Sequence, residues 1–140
     1  MTWPLLRGNG LYAPPGYGTK VLTWPANPDR VSPCPAIDAD PITHYVVVRA
    51  DLPVGHKLAQ AVHAAGETGP AASGTFAVVL AVLGEAELRA LSARLTESQI
   101  AHVLVREPDA PYSGAATALG IPPRRRSELR PHLKELPLCR

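Results

Sequence analysis

Three polar residues at helical spacing carry the first chemical signal in the chain: His56, Gln60 and His63, at i, i+4 and i+7. At 100° per residue they fall within about 60° of one another, so a helix here aligns two imidazoles and an amide. An imidazole near neutral pH can take a proton, give one, or hold a water, and an amide can donate to a developing oxyanion. A shared metal ion is not expected, because imidazoles seven residues apart stand about 10 Å apart along the axis. The segment Glu107-Pro108-Asp109 adds two carboxylates, able to orient an imidazole or accept a proton, although Glu-Pro-Asp-x-Pro is also ordinary turn chemistry. Tyr112 in the same segment is a candidate lid or substrate contact, and Thr117 supplies a hydroxyl. From 124 to 140, Arg124, Arg125, Arg126, Arg130, Lys134 and Arg140 face only Glu128 and Glu135, a local excess of four positive charges. Three arginines at a helix start oppose its dipole unless an anion such as phosphate answers them. The plainer alternative is a solvated cationic turn after Pro122-Pro123. No serine or cysteine stands in a recognisable nucleophile setting.

These residues need elements to hold them. Tyr45-Val46-Val47-Val48-Arg49 is a β-branched run suited to a strand buried on both faces. Asp51 to Gly55 reads as a turn and Val54 to Ala65 as a helix. On that helix Val54, Leu58, Ala61, Val62 and Ala65 share one arc of about 100°, expected to face the core, with His56, Gln60 and His63 opposite. Phe76 to Leu83 is a second buried strand. Gly84 opens a helix over Glu85 to Leu95, with Leu88, Leu91 and Leu95 on one side and acids in its first turn. Ala101 to Arg106 gives a third strand, Glu107 to Gly114 a loop, Ala115 to Gly120 a fourth strand, and Arg125 to Leu133 a short helix. Leu136 and Leu138 can add an edge strand. This alternation predicts a three-layer α/β/α domain on a four-stranded mixed sheet.

Composition sets the limits. The chain has 140 residues, 46% hydrophobic and 19% charged, which suits one globular domain. Residues 1–43 hold 8 Pro and 4 Gly against 8 Pro and 7 Gly over residues 44–140, so the first segment reads as an irregular Pro-rich arm. A short strand at Lys20 to Trp24 is expected within it. Residues 44–140 form the α/β domain. The longest apolar run has eight residues, Phe76 to Leu83, short of the roughly 18 that a membrane helix needs. No charged-then-apolar leader opens the chain, which points to the cytoplasm. Cys34 and Cys139, 105 positions apart, suit reduced thiols rather than a disulfide scaffold or metal site. A net charge of +2 does not by itself imply a nucleic-acid partner. His44 and His102, each beside a strand, read as packed or surface residues.

The order Tyr-Val-Val-Val-Arg-Ala-Asp-Leu, followed by Gly-His-Lys-Leu-Ala-Gln-Ala-Val-His-Ala-Ala, resembles the opening of the type-2 (archaeal and eukaryotic) peptidyl-tRNA hydrolase family. There a strand ending in Arg-x-Asp-Leu leads to a helix carrying Ala-Gln-x-x-His-Ala. Helix 85–95, Ile100 to Val105, Thr117-Ala118-Leu119-Gly120-Ile121-Pro122 and His132 to Leu138 continue the likeness, which spans residues 44–140. Gln60 and His63 match the helix motif, and Thr117 the family's Thr-x-Leu-Gly-Ile-x-Pro. The chain is similar to a divergent, bacterial-like branch. His56 stands where the family commonly has lysine, and the active-site loop reads Glu107-Pro108-Asp109 in place of Asp-Ala-Gly-Arg-Thr, keeping an acid but not the threonine.

The resemblance implies a cofactor-free, metal-free hydrolase that cleaves the ester between a peptide, or N-blocked amino acid, and tRNA by direct water attack. His63 would be the base or hold the water, Glu107 or Asp109 would orient it, and Gln60 or Thr117 would donate to the ester oxygen. His56, Lys57, Arg49, Arg124, Arg125 and Arg126 would contact the acceptor end of tRNA. A homodimer is implied by the resemblance alone. Two other readings stay open: a non-catalytic tRNA- or protein-binding module on the same fold, and a tRNA-ester enzyme of altered specificity.

Overall fold

The computed structural model describes residues 38–140. The arm's expected strand at 20–24, and Cys34, lie outside the described residues. Strand β1 (Ile42–Arg49) is buried at every position from Thr43 to Val48. That burial follows from its place inside the sheet, with helices on both faces. Helix α1 (Val54–Glu67) carries the chain across to β2 (Phe76–Val82), which lies parallel to β1 with Thr43 opposite Phe76 and Arg49 opposite Val82. Helix α2 (Glu85–Glu97) leads to β3 (Val103–Glu107), which folds back onto β4 (Ala115–Arg125) before α3 (Arg126–Leu133). The strand order is β2-β1-β4-β3, and β4 is antiparallel to both of its neighbours. This is the expected four-stranded mixed sheet of an α/β fold.

One face of the sheet carries α2 and α3. Leu88, Leu91 and Leu95 of α2 and Leu129 and Leu133 of α3 pack there against Tyr45, Val47, Leu119 and Ile121. Each fully buried leucine contributes about 1.5–3 kcal/mol, so the i, i+3, i+7 spacing of α2 decides its orientation. Past Leu133, Leu138 bridges Leu80 antiparallel, with Ala81 N–H donating to the Pro137 carbonyl at 2.9 Å. The expected edge pairing therefore forms beside β2.

The other face carries α1, and here the structure corrects the sequence reading. Of the stripe expected to face the core, the bulky members are outermost: Val54 is 67% exposed, Leu58 66% and Val62 74%, while Ala61 and Ala65 are half-buried against the sheet as expected. Gln60 and Ala64 are the buried positions instead. The reason is close packing. A Cβ placed on Gly120 of β4 would overlap the Ala64 carbonyl oxygen, so α1 lies almost directly on the strand through its smallest side chains. Bulk on that face would hold the helix away.

Strand β4 also runs five residues beyond its expected end at Gly120. Pairing passes from Tyr45–Ile121 to Thr43–Arg124, so Pro122 and Pro123 fall in an irregularity where no ladder N–H is required. The helix that follows is capped from a distance: Ser127 N–H and Oγ both donate to the Asp40 carboxylate at 2.7 Å.

Candidate active site

A single extra residue in β4 organises the site. Val105 pairs with Ala118 and Arg106 with Ala116, leaving Thr117 as the additional residue of a β-bulge. The bulge turns Thr117 toward α1, alongside Ala118, while Ala116 packs on the α2 side. The backbone groups of Ala116 are taken by side chains. Its N–H donates to Glu85 Oε1 at 3.0 Å, and its carbonyl accepts from Arg49 Nη1 at 3.1 Å. Arg49 also holds Asp51 through two nitrogens, at 2.9 and 2.7 Å. The Arg49 guanidinium keeps the Asp51 carboxyl below its ordinary range. The Ala116 N–H, then Arg89, does the same for Glu85.

Thr117 is fully buried. Its hydroxyl donates to Gln60 Oε1 at 2.8 Å, and Gln60 Nε2 donates to Glu107 Oε2 at 2.7 Å. A carboxylate can only accept, so the Gln60 amide must present its nitrogen to Glu107 and its oxygen to Thr117. The order Thr117→Gln60→Glu107 is thus set by chemistry. Among the described residues, the second oxygen of Glu107 meets only the Asp109 N–H, at 3.5 Å.

The loop after Glu107 closes on itself. Gly114 N–H donates to the Glu107 carbonyl at 2.7 Å, and Tyr112 N–H to the Asp109 carbonyl at 2.9 Å. Gly114 sits at φ 90°, a conformation open chiefly to glycine. Tyr112 extends from this loop to α1, where its hydroxyl shares a hydrogen bond with His56 Nδ1. The two rings also meet edge to face, with centroids 5.5 Å apart. Tyr112 and α1 thus meet one helical turn before Gln60. These groups gather where β1 ends, β3 ends and β4 begins, at the carboxyl edge of the two parallel strands. Crevices for ligands in α/β sheets form at such edges.

The sequence model of the family described as Peptidyl-tRNA hydrolase PTH2 matches residues 42–139, more than two thirds of the chain. The chain belongs to the PTH2 family. The match takes in all seven elements, and with them the bulge and the Thr117–Gln60–Glu107 chain. PTH2 membership places the protein among translation hydrolases whose substrate is a tRNA ester. Comparison with curated proteins gives no match to the chain.

Within this PTH2 domain the other predicted site residues are spread out. His63 is half exposed, with Nε2 3.2 Å from Glu67, and is not brought to Glu107 or Asp109. Lys57 reaches the Arg140 carbonyl at 3.3 Å. Arg124 pairs with Glu128 at 3.1 Å and Arg125 with Asp38 at 2.8 Å. Arg126 lines a separate recess with Arg130 and Lys134. These arginines lie at the far end of β4, on the order of 25 Å of strand from Thr117. His44 is buried and bonded to Thr68 Oγ1 at 2.7 Å, and His102 ties Ser92 to the Ile100 carbonyl. Cys139 is a half-buried free thiol. Among the described residues no cluster of His, Cys, Asp or Glu is placed to hold a metal ion, and no helix is long and apolar enough to cross a membrane. Sequence reasoning missed Glu85 as a partner of the bulge. Its only sequence signal was an acid in the first turn of α2.

Proposed function

We propose that this PTH2 protein hydrolyses the ester joining a peptide or N-blocked amino acid to tRNA, by direct attack of water, and so returns the tRNA to translation. The observation that carries the reading is the buried Thr117–Gln60–Glu107 chain, which ends on a carboxylate with one oxygen still open. Glu107 accepts the proton of the attacking water. Gln60 holds Glu107 through one N–H and offers its second N–H to the developing oxyanion. Thr117 has committed its proton to Gln60, so it positions rather than donates. Asp109 shapes the loop, and His63, on the exposed side of α1, meets the terminal nucleotides. Lys57 and the Arg124 to Arg126 group contact backbone phosphates further along the tRNA. No cofactor is required, and the cytoplasm is where such a substrate arises.

The test is single-turnover release of a labelled N-acetyl-aminoacyl group from its tRNA by the full chain. Glu107→Gln should lower the rate by about 10²-fold or more, the scale for losing a general base. His63→Ala should cost clearly less. The reverse ranking returns the base to His63. A folded wild type that binds tRNA without cleaving it identifies a binding module instead.

A further inference from the structure

Ester hydrolysis moves two protons, one off the water and one onto the departing ribose oxygen. We infer that His56 supplies the second proton and that Tyr112 is the residue that positions it. The inference rests on the hydrolase reading above and extends it.

Geometry selects His56. It sits four residues before Gln60 on α1, and side chains at that spacing are neighbours about 5–6 Å apart at Cβ. Tyr112 lies on the loop that begins at Glu107, so the loop is pinned to α1 twice: Glu107 on Gln60, and Tyr112 on His56. An ester carbonyl seated between the two pins has the carboxylate on one side and the imidazole on the other. Tyr112 engages Nδ1 and fixes the ring plane by its edge-to-face contact, leaving Nε2 of an exposed ring for substrate.

Among the described residues, most other titratable groups near this end have partners of their own. From β1 and the turn after it, Arg49 and Asp51 hold each other. From α2, Glu85 is bound to Ala116 N–H and Arg89. On α1, Lys57 is turned to Arg140, and His63 lies about two turns away beside Glu67. From the loop, Glu107 takes the water proton and Asp109 is an exposed carboxylate.

The step balances. The water oxygen bonds the acyl carbon, and one water proton passes to Glu107. As the bond from the acyl carbon to the ribose oxygen breaks, the Nε2 proton of imidazolium His56 moves onto that oxygen, while Nδ1–H remains directed at the Tyr112 oxygen. Glu107 then loses its proton to solvent, and His56 regains one. The sum is ester plus water giving acid plus ribose hydroxyl.

A proton donor must be protonated, so the rate should fall as pH rises, and that fall should depend on the side chain at position 56. The experiment is the pH profile of kcat/KM on N-acetyl-aminoacyl-tRNA for the full-length wild type, His56→Gln, His56→Lys and Tyr112→Phe, with folding checked by circular dichroism. The expected result has four parts. Wild type shows an alkaline limb, His56→Gln loses about 10²-fold and the limb with it, and His56→Lys restores much of the rate with the limb moved to higher pH. Tyr112→Phe keeps the limb but lowers kcat/KM, because the imidazole loses the hydrogen bond that orients it. A folded His56→Gln that retains the wild-type rate, or an unchanged limb, overturns this assignment while leaving the hydrolase reading intact. Wild type without cleavage at any pH overturns both.

Discussion

Gly120 on β4 presses against the carbonyl oxygen of Ala64 on α1, closely enough that a single added carbon at Gly120 would collide with it and with Thr68 Cγ2. The neighbour on the near side is helix backbone, which cannot swing aside as a side chain would. Gly120→Ala should therefore destabilise the domain by about 1–3 kcal/mol, the range for overpacking a filled interior. Thermal unfolding followed by circular dichroism measures this. A melting temperature equal to that of wild type would mean α1 has room to lift.

Thr117→Val keeps the side-chain volume and removes the hydroxyl. The Gln60 carbonyl oxygen, on a residue only 8% exposed, then loses its donor. Such a buried unpaired group costs about 1–3 kcal/mol. Thr117→Ser, which keeps the donor, should recover most of the loss in urea titrations. A larger loss in Thr117→Ser than in Thr117→Val would show that the methyl group, and not the hydroxyl, matters.

Burial lowers the pKa of His44. The folded state thus favours neutral imidazole, and the unfolded chain binds the proton more readily. His44 therefore contributes stability in full above the ordinary imidazole value of about 6.5, and that contribution is lost as pH falls through the lowered native value. Urea midpoints measured between pH 8 and pH 5 (chosen to bracket about 6.5) should decline toward acid. His44→Gln should flatten the decline. An identical slope in the variant would assign the acid sensitivity to other groups.

Helix α1 makes an unusual mutational forecast, because its bulky flank is outside. Leu58→Lys and Val62→Lys should each change stability by no more than about 0.5 kcal/mol, as for other exposed sites. Leu91→Ala on α2 should cost about 2–5 kcal/mol. Losses at Leu58 or Val62 comparable to that at Leu91 would restore the orientation expected from hydrophobic pattern.

Most of the architecture was legible in the residues. The β-branched run at 45–49, the leucines of α2 and the polar triplet on 54–65 each appear as the element they predicted, near the expected bounds. Periodicity located the stripe on α1 but gave its bulky members the wrong side, since the pattern records bulk, and this helix packs through its alanines, with Gly120 of β4 beneath them. Gln60 was legible as a site candidate for its type and spacing. Its link through Thr117 to Glu107 depends on the bulge, which no local pattern announces. The acids of α2 looked like answers to a helix dipole, whereas Glu85 closes a gap in a strand two elements later. The arginines at 124–126 were legible as charge, yet Glu128 and Asp38 already answer two of them, and sequence spacing does not reveal such partners.

The bulge at Thr117 also behaves as a shift of phase. Every residue of β4 before it is out of step with the alternation that holds from Ala118 onward. Removing one residue there, Ala116 for example, would bring the strand back into step, pair Thr117 with Arg106, and carry the hydroxyl to the α2 layer, a sheet's thickness from Gln60. A chain only one residue shorter would then fold around a site with no relay. In this protein the buried Thr117–Gln60–Glu107 chain hangs on the parity of one strand, so insertions and deletions here should be far more damaging than substitutions of any single neighbour.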